Sequence, residues 1–254
     1  MKSLVIIPSR SRSETIASHS LRLFPTATVC VPQDQAPAYS KATANFKQVE
    51  IVAHPKLRTL AAVRNWIFEN IKAQVLIMAD DDLTCLRSMS GWRTRDYHDP
   101  QVVNELLDTT AICAKDAHCA MFGFSRSPNQ QHFKPFHPMR LDTWVARVIG
   151  FVGQHGLRFD ERLGLYDALD ISLQSLLQHR IILADCRWCF VPSATTLMGG
   201  LTLYRTEDRQ VKERQYLQAK WGDAVVCSSS RDPNRLTTNV QRQQPSSEQM
   251  PLNG

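Results

Sequence analysis

The sequence predicts an α/β fold, a mainly parallel sheet flanked by helices in a single domain. Short apolar runs alternate with segments of helical composition over the first 80 residues, which is the spacing of parallel strands joined by helices. One run, Val75–Ala79, is apolar at every position, as strands buried on both faces of a parallel sheet are. The 254 residues, 43% of them hydrophobic, are sufficient for one substantial core.

Strands are predicted where a β-branched or apolar run is bounded by residues that disfavour strands. Pro8 ends the first run, and aspartates follow the fourth. The predicted strands are residues 4–7, 28–31, 49–52, 75–79 and 181–191.

Helices are predicted between the strands from composition and from apolar spacing. In the segment 60–71, apolar residues at 60, 63, 67 and 71 share one face of an amphipathic helix. The other predicted helices end at residue 23, cover 36–46, run to His179 and cover 207–221. Ligands of such sheets bind at the carboxyl ends of strands, so the loops after Ile7 and Ala79 are predicted binding loops.

Composition and charge exclude several classes of protein. The net charge of +6 permits a polyanionic partner without requiring one. No apolar run approaches the roughly 18 residues of a membrane span, and the first run is shorter than a signal-peptide core of about 7 to 15 residues. We therefore expect a soluble, cytoplasmic protein with no membrane partner. Residues 228–254 are polar, lack aromatic residues and predict a flexible tail.

The seven cysteines are odd in number and lie mostly in apolar segments, which predicts reduced core thiols. Only Cys186 and Cys189 have a metal or redox spacing. Because no second pair accompanies them and they lie within a predicted strand, buried thiols are the favoured interpretation.

The strongest chemical signal is three adjacent aspartates, Asp80, Asp81 and Asp82, directly after the fourth strand. Adjacent carboxylates repel each other and favour a bound cation. Asp80 and Asp82 stand at i and i+2, so in an extended segment they point the same way. They are the predicted ligands of a divalent metal whose coordination a substrate diphosphate completes. The alternative is a solvated turn with an aspartate at a helix N-cap.

Two loops interleave aromatic and basic residues, the composition that binds phosphodiesters and unstacked bases. Loops beside any phosphate-binding site share this composition. The candidate acceptor-binding residues are Trp92, Arg93 and Arg95 in the first loop and Phe133 and Lys134 in the second. Arg205 follows the glycine pair Gly199 and Gly200 and is predicted to reach a diphosphate across a hinge. The alternative is a plain strand-to-helix turn.

These motifs together resemble the nucleotide-sugar half of a GT-A glycosyltransferase. The resemblance rests on a strand ending in Pro8-Ser9-Arg10, a helix carrying Arg64-Asn65, and an apolar strand that runs into Asp80-x-Asp82. It implies a Rossmann-type sheet in which Asp80 and Asp82 bind Mn²⁺ or Mg²⁺. The donor-binding residues that it implies are Pro8, Ser9, Arg10, Arg12, Arg64, Asn65, Asp80 and Asp81, with Asp81 nearer the ribose or sugar.

The segment Phe159-Asp160-Glu161-Arg162 followed by Asp167 and Asp170 is similar to the acceptor-side segment of these enzymes. Ala168 stands where the family often has its catalytic aspartate. Asp167 is therefore the candidate base that deprotonates an acceptor hydroxyl, and Asp170 is the second candidate. The alternative is that both carboxylates only complement a helix N-terminus.

Over residues 1–227 the chain resembles in particular the phage TET-associated glycosyltransferases, whose acceptors are 5-hydroxymethylated cytosines. This resemblance implies DNA modification: a metal-dependent, DNA-binding enzyme that transfers sugar from a UDP-sugar to 5-hydroxymethylcytosine in bacteriophage DNA, in the host cytoplasm. A nucleotidyltransferase that uses a nucleoside triphosphate and an inactive GT-A-like nucleic-acid-binding module are the alternatives.

Overall fold

The computed structural model describes residues 3–193, 204–229 and 232–240. The strands are β1 (Ser3–Pro8), β2 (Thr28–Pro32), β3 (Glu50–His54), β4 (Val75–Ala79), β5 (Leu83–Ser88), β6 (Arg95–Tyr97), β7 (Met121–Phe124), β8 (Met139–Arg140), β9 (Val148–Val152), β10 (Leu183–Asp185), β11 (Trp188–Pro192), β12 (Val225–Cys227) and β13 (Leu236–Thr238). The helices are α1 (Ser13–Ile16), α2 (Ser20–Leu23), α3 (Ala36–Ala42), α4 (Leu60–Asn70), α5 (Pro100–Asp116), α6 (Asp167–His179) and α7 (Glu207–Trp221).

An eight-stranded sheet in the order β3-β2-β1-β4-β9-β7-β10-β8 forms the centre of the fold. Strands β1 to β4 are parallel, β7 and β10 run in their direction, and β9 and β8 run against it. The predicted α/β class with a mainly parallel sheet is confirmed. The antiparallel β9 pairs Val148 with Ala79, so its first residues lie beside the carboxyl end of β4.

Strand β4 is buried on both faces, as predicted. Val75, Ile77 and Ala79 pack into one apolar cluster, and Leu76 and Met78 pack into a second cluster on the opposite face. Burying each larger side chain contributes about 1.5–3 kcal/mol. The strand that leads to the three aspartates is therefore held rigidly from both sides.

Two predicted elements are divided in the structure. The predicted helix ending at residue 23 consists of two short helices, α1 and α2. The predicted strand 181–191 consists of β10 and β11, which belong to different sheets. Asp185 causes this break, because its carboxylate accepts hydrogen bonds from the backbone N–H and the guanidinium of Arg187 and turns the chain. All seven cysteines are free thiols.

The predicted boundary at residue 227 is wrong. Strand β13 lies in the predicted tail and pairs with β12, with Cys227 opposite Leu236. Leu236 is buried in a third apolar cluster with Leu163, Leu169 and Leu217. One leucine in a polar segment is sufficient for this packing, which average composition does not reveal. None of the helices among the described residues is long and apolar enough to cross a membrane.

Candidate active site

The carboxyl ends of β1 and β4 bring the loop after Ile7 and the three aspartates together. Parallel pairing of β1 with β4 places the two loops side by side. Ser9 Oγ donates to Asp81 Oδ2 at 2.5 Å, and Arg12 Nη1 donates to Asp81 Oδ1 at 2.5 Å. The two loops predicted to gather at this edge of the sheet are therefore in direct contact.

Asp81 faces the protein interior. It is buried, and the Tyr39 hydroxyl lies 2.7 Å from Ser9 Oγ in the same network. Burial raises the pKa of Asp81 against the opposing effect of Arg12. The prediction that Asp81 contacts the ribose or sugar is not supported, because both of its oxygens bind protein donors. Ser9 and Arg12 likewise serve to hold this turn.

Asp80 and Asp82 form the accessible part of the triplet. Their side chains are 33% and 28% exposed, respectively. Burial, opposed by Arg64 and reinforced by the nearby charge of Asp82, raises the pKa of Asp80 to about 7. A bound cation would relieve the repulsion between these two partly exposed carboxylates.

The donor set at Asp80 and Asp82 fits Mn²⁺ or Mg²⁺. Both supply hard carboxylate oxygens, and Mg²⁺ is usually held by one or two carboxylates together with waters and substrate phosphates. Across the described parts of the chain, no group of three or more His, Cys, Asp or Glu side chains is arranged for metal binding. A metal held by these two aspartates would therefore take its remaining ligands from substrate and water.

Arg64 links the aspartates to the candidate base. Its Nη2 lies 3.3 Å from Asp80 Oδ1, and its Nη1 donates to Asp167 Oδ2 at 2.8 Å. The guanidinium is buried and lies 5.3 Å from the centre of the Phe159 ring. The resemblance implied that Arg64 faces a nucleotide, but the structure places it between two carboxylates that are far apart in the sequence.

Asn65 does not face the strand ends. Its buried amide donates to the Phe159 carbonyl at 3.0 Å and to Glu161 Oε1 at 2.9 Å, and it accepts the Phe159 N–H at 2.9 Å. Successive helical residues point about 100° apart, so Arg64 and Asn65 serve different surfaces. The implied donor role of Asn65 is thus replaced by one that fixes the segment before α6.

Asp167 is the first residue of α6 and is buried. Its Oδ1 accepts the Ala168 N–H at 2.9 Å, while its Oδ2 accepts from Arg64. Burial raises the pKa of Asp167, and Arg64 opposes that rise. Each carboxylate oxygen has a second lone pair, so the contacts leave capacity to accept a proton.

Asp170 is fully buried and cannot reach an acceptor. It accepts from Gln174 Nε2 at 2.8 Å and Trp221 Nε1 at 2.7 Å, and it pairs with Lys220 Nζ at 2.7 Å. The assignment of Asp170 as the second candidate base is wrong. Spacing along α6 predicted a shared face with Asp167, but α7 covers Asp170.

We expect Asp170→Asn to reduce stability rather than to act on chemistry. The change removes the charge that Lys220 Nζ contacts and weakens the buried acceptor of Trp221 and Gln174, which costs about 1–3 kcal/mol, while Lys220 keeps its pair with Asp160. Thermal and urea unfolding measure this loss. Asp208→Asn is the control, since the Asp208–Lys212 pair is exposed and an exposed pair contributes at most about 1 kcal/mol. Equal small losses in both variants would contradict the buried role of Asp170.

Glu213 on α7 is a site residue that sequence reasoning missed. It is buried, and its Oε2 accepts the backbone N–H groups of Gly164 at 3.0 Å and Leu165 at 2.8 Å. These contacts hold the loop that leads into Asp167. The available signal was the i,i+4 spacing of Arg209 and Glu213, which ordinarily indicates a solvated helix face.

The remaining predicted donor residues are Pro8, Arg10 and Arg205. Pro8 is buried at the end of β1, whereas Arg10 and Arg205 are exposed. Arg205 lies near the start of α6, where its charge opposes the raised pKa of Tyr166 that burial causes. Gly199 and Gly200, the predicted hinge, lie outside the described residues.

The two predicted acceptor loops lie side by side. Gln130 Nε2 donates to the Gly91 carbonyl at 2.9 Å, and Arg87 contacts both Asp96 and the Pro128 carbonyl. Trp92 is 94% exposed. The other candidates on this surface are Arg93, Arg95 and Lys134, which are exposed, and Phe133, which is half-buried. The structure thus gathers the predicted acceptor residues on one aromatic and basic surface.

Comparison with known proteins places this site in a family. The model of the family described as TET-associated glycosyltransferase matches residues 3–200. The chain belongs to the TET-associated glycosyltransferase family. The match includes the loop after β1, the aspartate triplet, Arg64 and the start of α6, and it confirms the family resemblance of the sequence.

Solved structures support the GT-A glycosyltransferase fold of this family member. S. aureus TarS 1–349 in complex with UDP-GlcNAc has a TM-score of 0.52 at 15% identity, covering 85% of this chain and 65% of that chain. Mannosyltransferase PcManGT from Pyrobaculum calidifontis in complex with GDP-Man and Mn²⁺ has a TM-score of 0.50 at 12% identity, covering 85% and 61%. This chain therefore spans less than two thirds of either protein. Among curated proteins, none matches it in sequence.

Proposed function

We propose that this member of the TET-associated glycosyltransferase family is a metal-dependent enzyme that transfers a sugar from a UDP-sugar to the hydroxyl of 5-hydroxymethylcytosine in phage DNA. The observation that carries the proposal is the alternation of burial among the three aspartates that follow β4. Asp81 is buried against Ser9 and Arg12, while Asp80 and Asp82 remain accessible. A nucleotide-sugar donor is also in keeping with the UDP-GlcNAc and GDP-Man complexes of the two structural relatives.

Asp80 and Asp82 would hold the metal and, through it, the donor diphosphate. When bound, a divalent cation neutralises negative charge that develops on the leaving nucleoside diphosphate. The chain itself positions these carboxylates: Arg12 lies 3.7 Å from Asp82, and Arg64 holds Asp80 from the other side. Arg10 and Arg205 are exposed cations that would bind phosphate oxygens at the rim.

Asp167 would take the proton from the acceptor hydroxyl. A carboxyl with a raised pKa is a stronger base than a free carboxylate once it is ionised, and Arg64 opposes the rise that burial causes in the pKa of Asp167. Because Arg64 contacts both Asp80 and Asp167, the donor site and the candidate base are held by one rigid side chain. This arrangement suits a reaction in which donor and acceptor must meet at one carbon atom.

The aromatic and basic surface would bind the DNA acceptor. Trp92, Arg93, Arg95, Phe133 and Lys134 supply stacking faces and phosphate-binding charge. Trp92 is exposed and is the side chain we expect to support a target base that the enzyme extrudes from the duplex.

Mass spectrometry of hydroxymethylated DNA, incubated with the protein, Mn²⁺ or Mg²⁺ and a panel of UDP- and GDP-sugars, tests the proposal. We expect a mass gain of one sugar per hydroxymethylcytosine and no gain on DNA with unmodified cytosine. Donor hydrolysis without transfer to this DNA would overturn the acceptor assignment. The absence of both hydrolysis and transfer, with DNA binding retained, would favour the inactive binding module.

A further inference from the structure

A cluster of arginines lies at the same edge of the sheet as Asp80, outside the site described above. Arg126 follows β7, and Arg147 precedes β9, the strand that pairs with β4. Arg147 Nη1 donates to the Arg126 carbonyl at 2.5 Å, and the Arg147 carbonyl accepts the Asp80 N–H at 2.8 Å. The cluster is therefore built onto the backbone of the candidate metal site.

Arg126 is half-buried against an aromatic platform. Its guanidinium carbon lies 3.9 Å from the centre of the Trp144 ring. Trp144 packs on the apolar cluster of α6 and α7, which also contacts Tyr166, the residue before Asp167. The indole Nε1 is buried and has no hydrogen-bond partner among the described residues. The platform thus joins the arginine cluster to the start of α6.

The cluster has an excess of positive charge. Burial, together with the nearby charges of Arg140, Arg147 and Arg235, lowers the pKa of Arg126 to about 10. Arg140 pairs with Asp142 at 3.1 Å, but within the described ranges no carboxylate lies at salt-bridge distance from Arg126 or Arg147. A half-buried guanidinium without a carboxylate partner is stabilised by an anion, and phosphate oxygens match its planar donors.

Arg147 also has a strained backbone. Its φ of 66° lies in the left-handed region, which is unfavourable for residues other than glycine. Strain of this kind persists where surrounding contacts impose it, often at functional sites. Here the conformation accompanies two contacts, one from the side chain to Arg126 and one from the carbonyl to Asp80.

We infer that Arg126 and Arg147, with Trp144 as the stacking platform, form a binding site for one phosphate group of the DNA acceptor, next to the target nucleotide. The inference rests on the proposed function. The position of Arg126 favours the acceptor over the donor diphosphate, because Arg126 follows β7, which β9 separates from β4, whereas the candidate donor loops follow β1 and β4. Arg147, directly before β9, contacts both Arg126 and the backbone of Asp80.

Binding of oligonucleotides that carry one neutral methylphosphonate tests this site without requiring catalysis. In the unmodified protein, we expect one position near the target base at which the neutral linkage weakens binding by about tenfold, the magnitude of one charged hydrogen-bonded contact. In Arg126→Gln the neutral linkage weakens binding less, because only Arg147 remains to bind the phosphate, and the salt dependence of duplex binding falls by about 0.9 in log–log slope. Arg126→Lys keeps the charge and should retain most of that slope. It therefore separates the loss of charge in Arg126→Gln from a folding defect.

Arg158→Gln is the matched control, because it removes the same charge from an exposed residue paired with Glu69. Equal methylphosphonate profiles for the Arg126→Gln variant and the unmodified protein would overturn the site. A rise in KM for the nucleotide sugar with DNA binding unchanged would assign the phosphate to the donor and overturn the acceptor assignment. Absence of DNA binding by the unmodified protein would also overturn the site, whereas the proposed donor chemistry is measured separately by nucleotide-sugar hydrolysis.

Discussion

Asp82→Asn is expected to reduce sugar transfer and donor hydrolysis by about a thousandfold or more while the protein stays folded. The side chain is partly exposed, and among the described residues its one ion pair is the 3.7 Å contact with Arg12, so little stability depends on its charge. A metal ion contributes several kcal/mol to stabilising charge on a leaving diphosphate, and about 4 kcal/mol corresponds to a thousandfold. Initial rates and calorimetric titration with Mn²⁺ and nucleoside diphosphate measure the loss.

Two comparison variants make this result specific. Asp81→Asn removes the acceptor of Ser9 and Arg12 inside the protein, so it should lower the unfolding temperature. Asp116→Asn, at the exposed end of α5, should leave both the rate of sugar transfer and the unfolding temperature unchanged. Full activity in Asp82→Asn, or unchanged Mn²⁺ affinity, would rule out the assignment of Asp82 as a metal ligand.

Arg64→Lys is expected to reduce kcat/KM by about 100-fold, at the upper end for a residue that orients ligating groups. Lysine keeps the charge, but its single ammonium cannot reproduce the planar contact with both Asp80 and Asp167. Arg22→Lys on α2 is the control, because Arg22 is exposed. Steady-state kinetics at saturating metal separate this loss from weaker metal binding.

The pH profile adds a second readout for Arg64. Arg64 lowers the pKa of Asp167 against the rise caused by burial. Weakening that contact lets the pKa rise further, and the base is active only when ionised. The acidic limb of kcat/KM should therefore move to higher pH in Arg64→Lys. An unshifted limb together with normal kcat/KM would show that Arg64 does not position the candidate base.

Elements with strong local patterns were predicted closely. Val75–Ala79 and Glu207–Trp221 have the predicted bounds, and α4 ends one residue before its predicted end. An unbroken apolar run reports burial directly, because it depends on neighbours in the sequence. The apolar period of α4 predicted the extent of the helix but not its buried face, since the buried residues are Ala61, Arg64, Asn65 and Ile67. The strand predicted at 181–191 failed because its break comes from a side-chain contact, Asp185 with Arg187, that an apolar run does not show.

The sequence by itself indicated the α/β class, the family resemblance and the position of the three aspartates directly after a buried strand. These follow from apolar runs and short motifs, which depend on residues that are neighbours in the chain. Only the tertiary structure decided which charges meet. Arg64 joins Asp80 to Asp167, Asp170 is covered by α7, and Arg126 reaches Trp144 without a carboxylate partner among the described residues. Such pairings depend on how the sheet and helices pack, because residues distant in the chain meet only when burial brings their elements together.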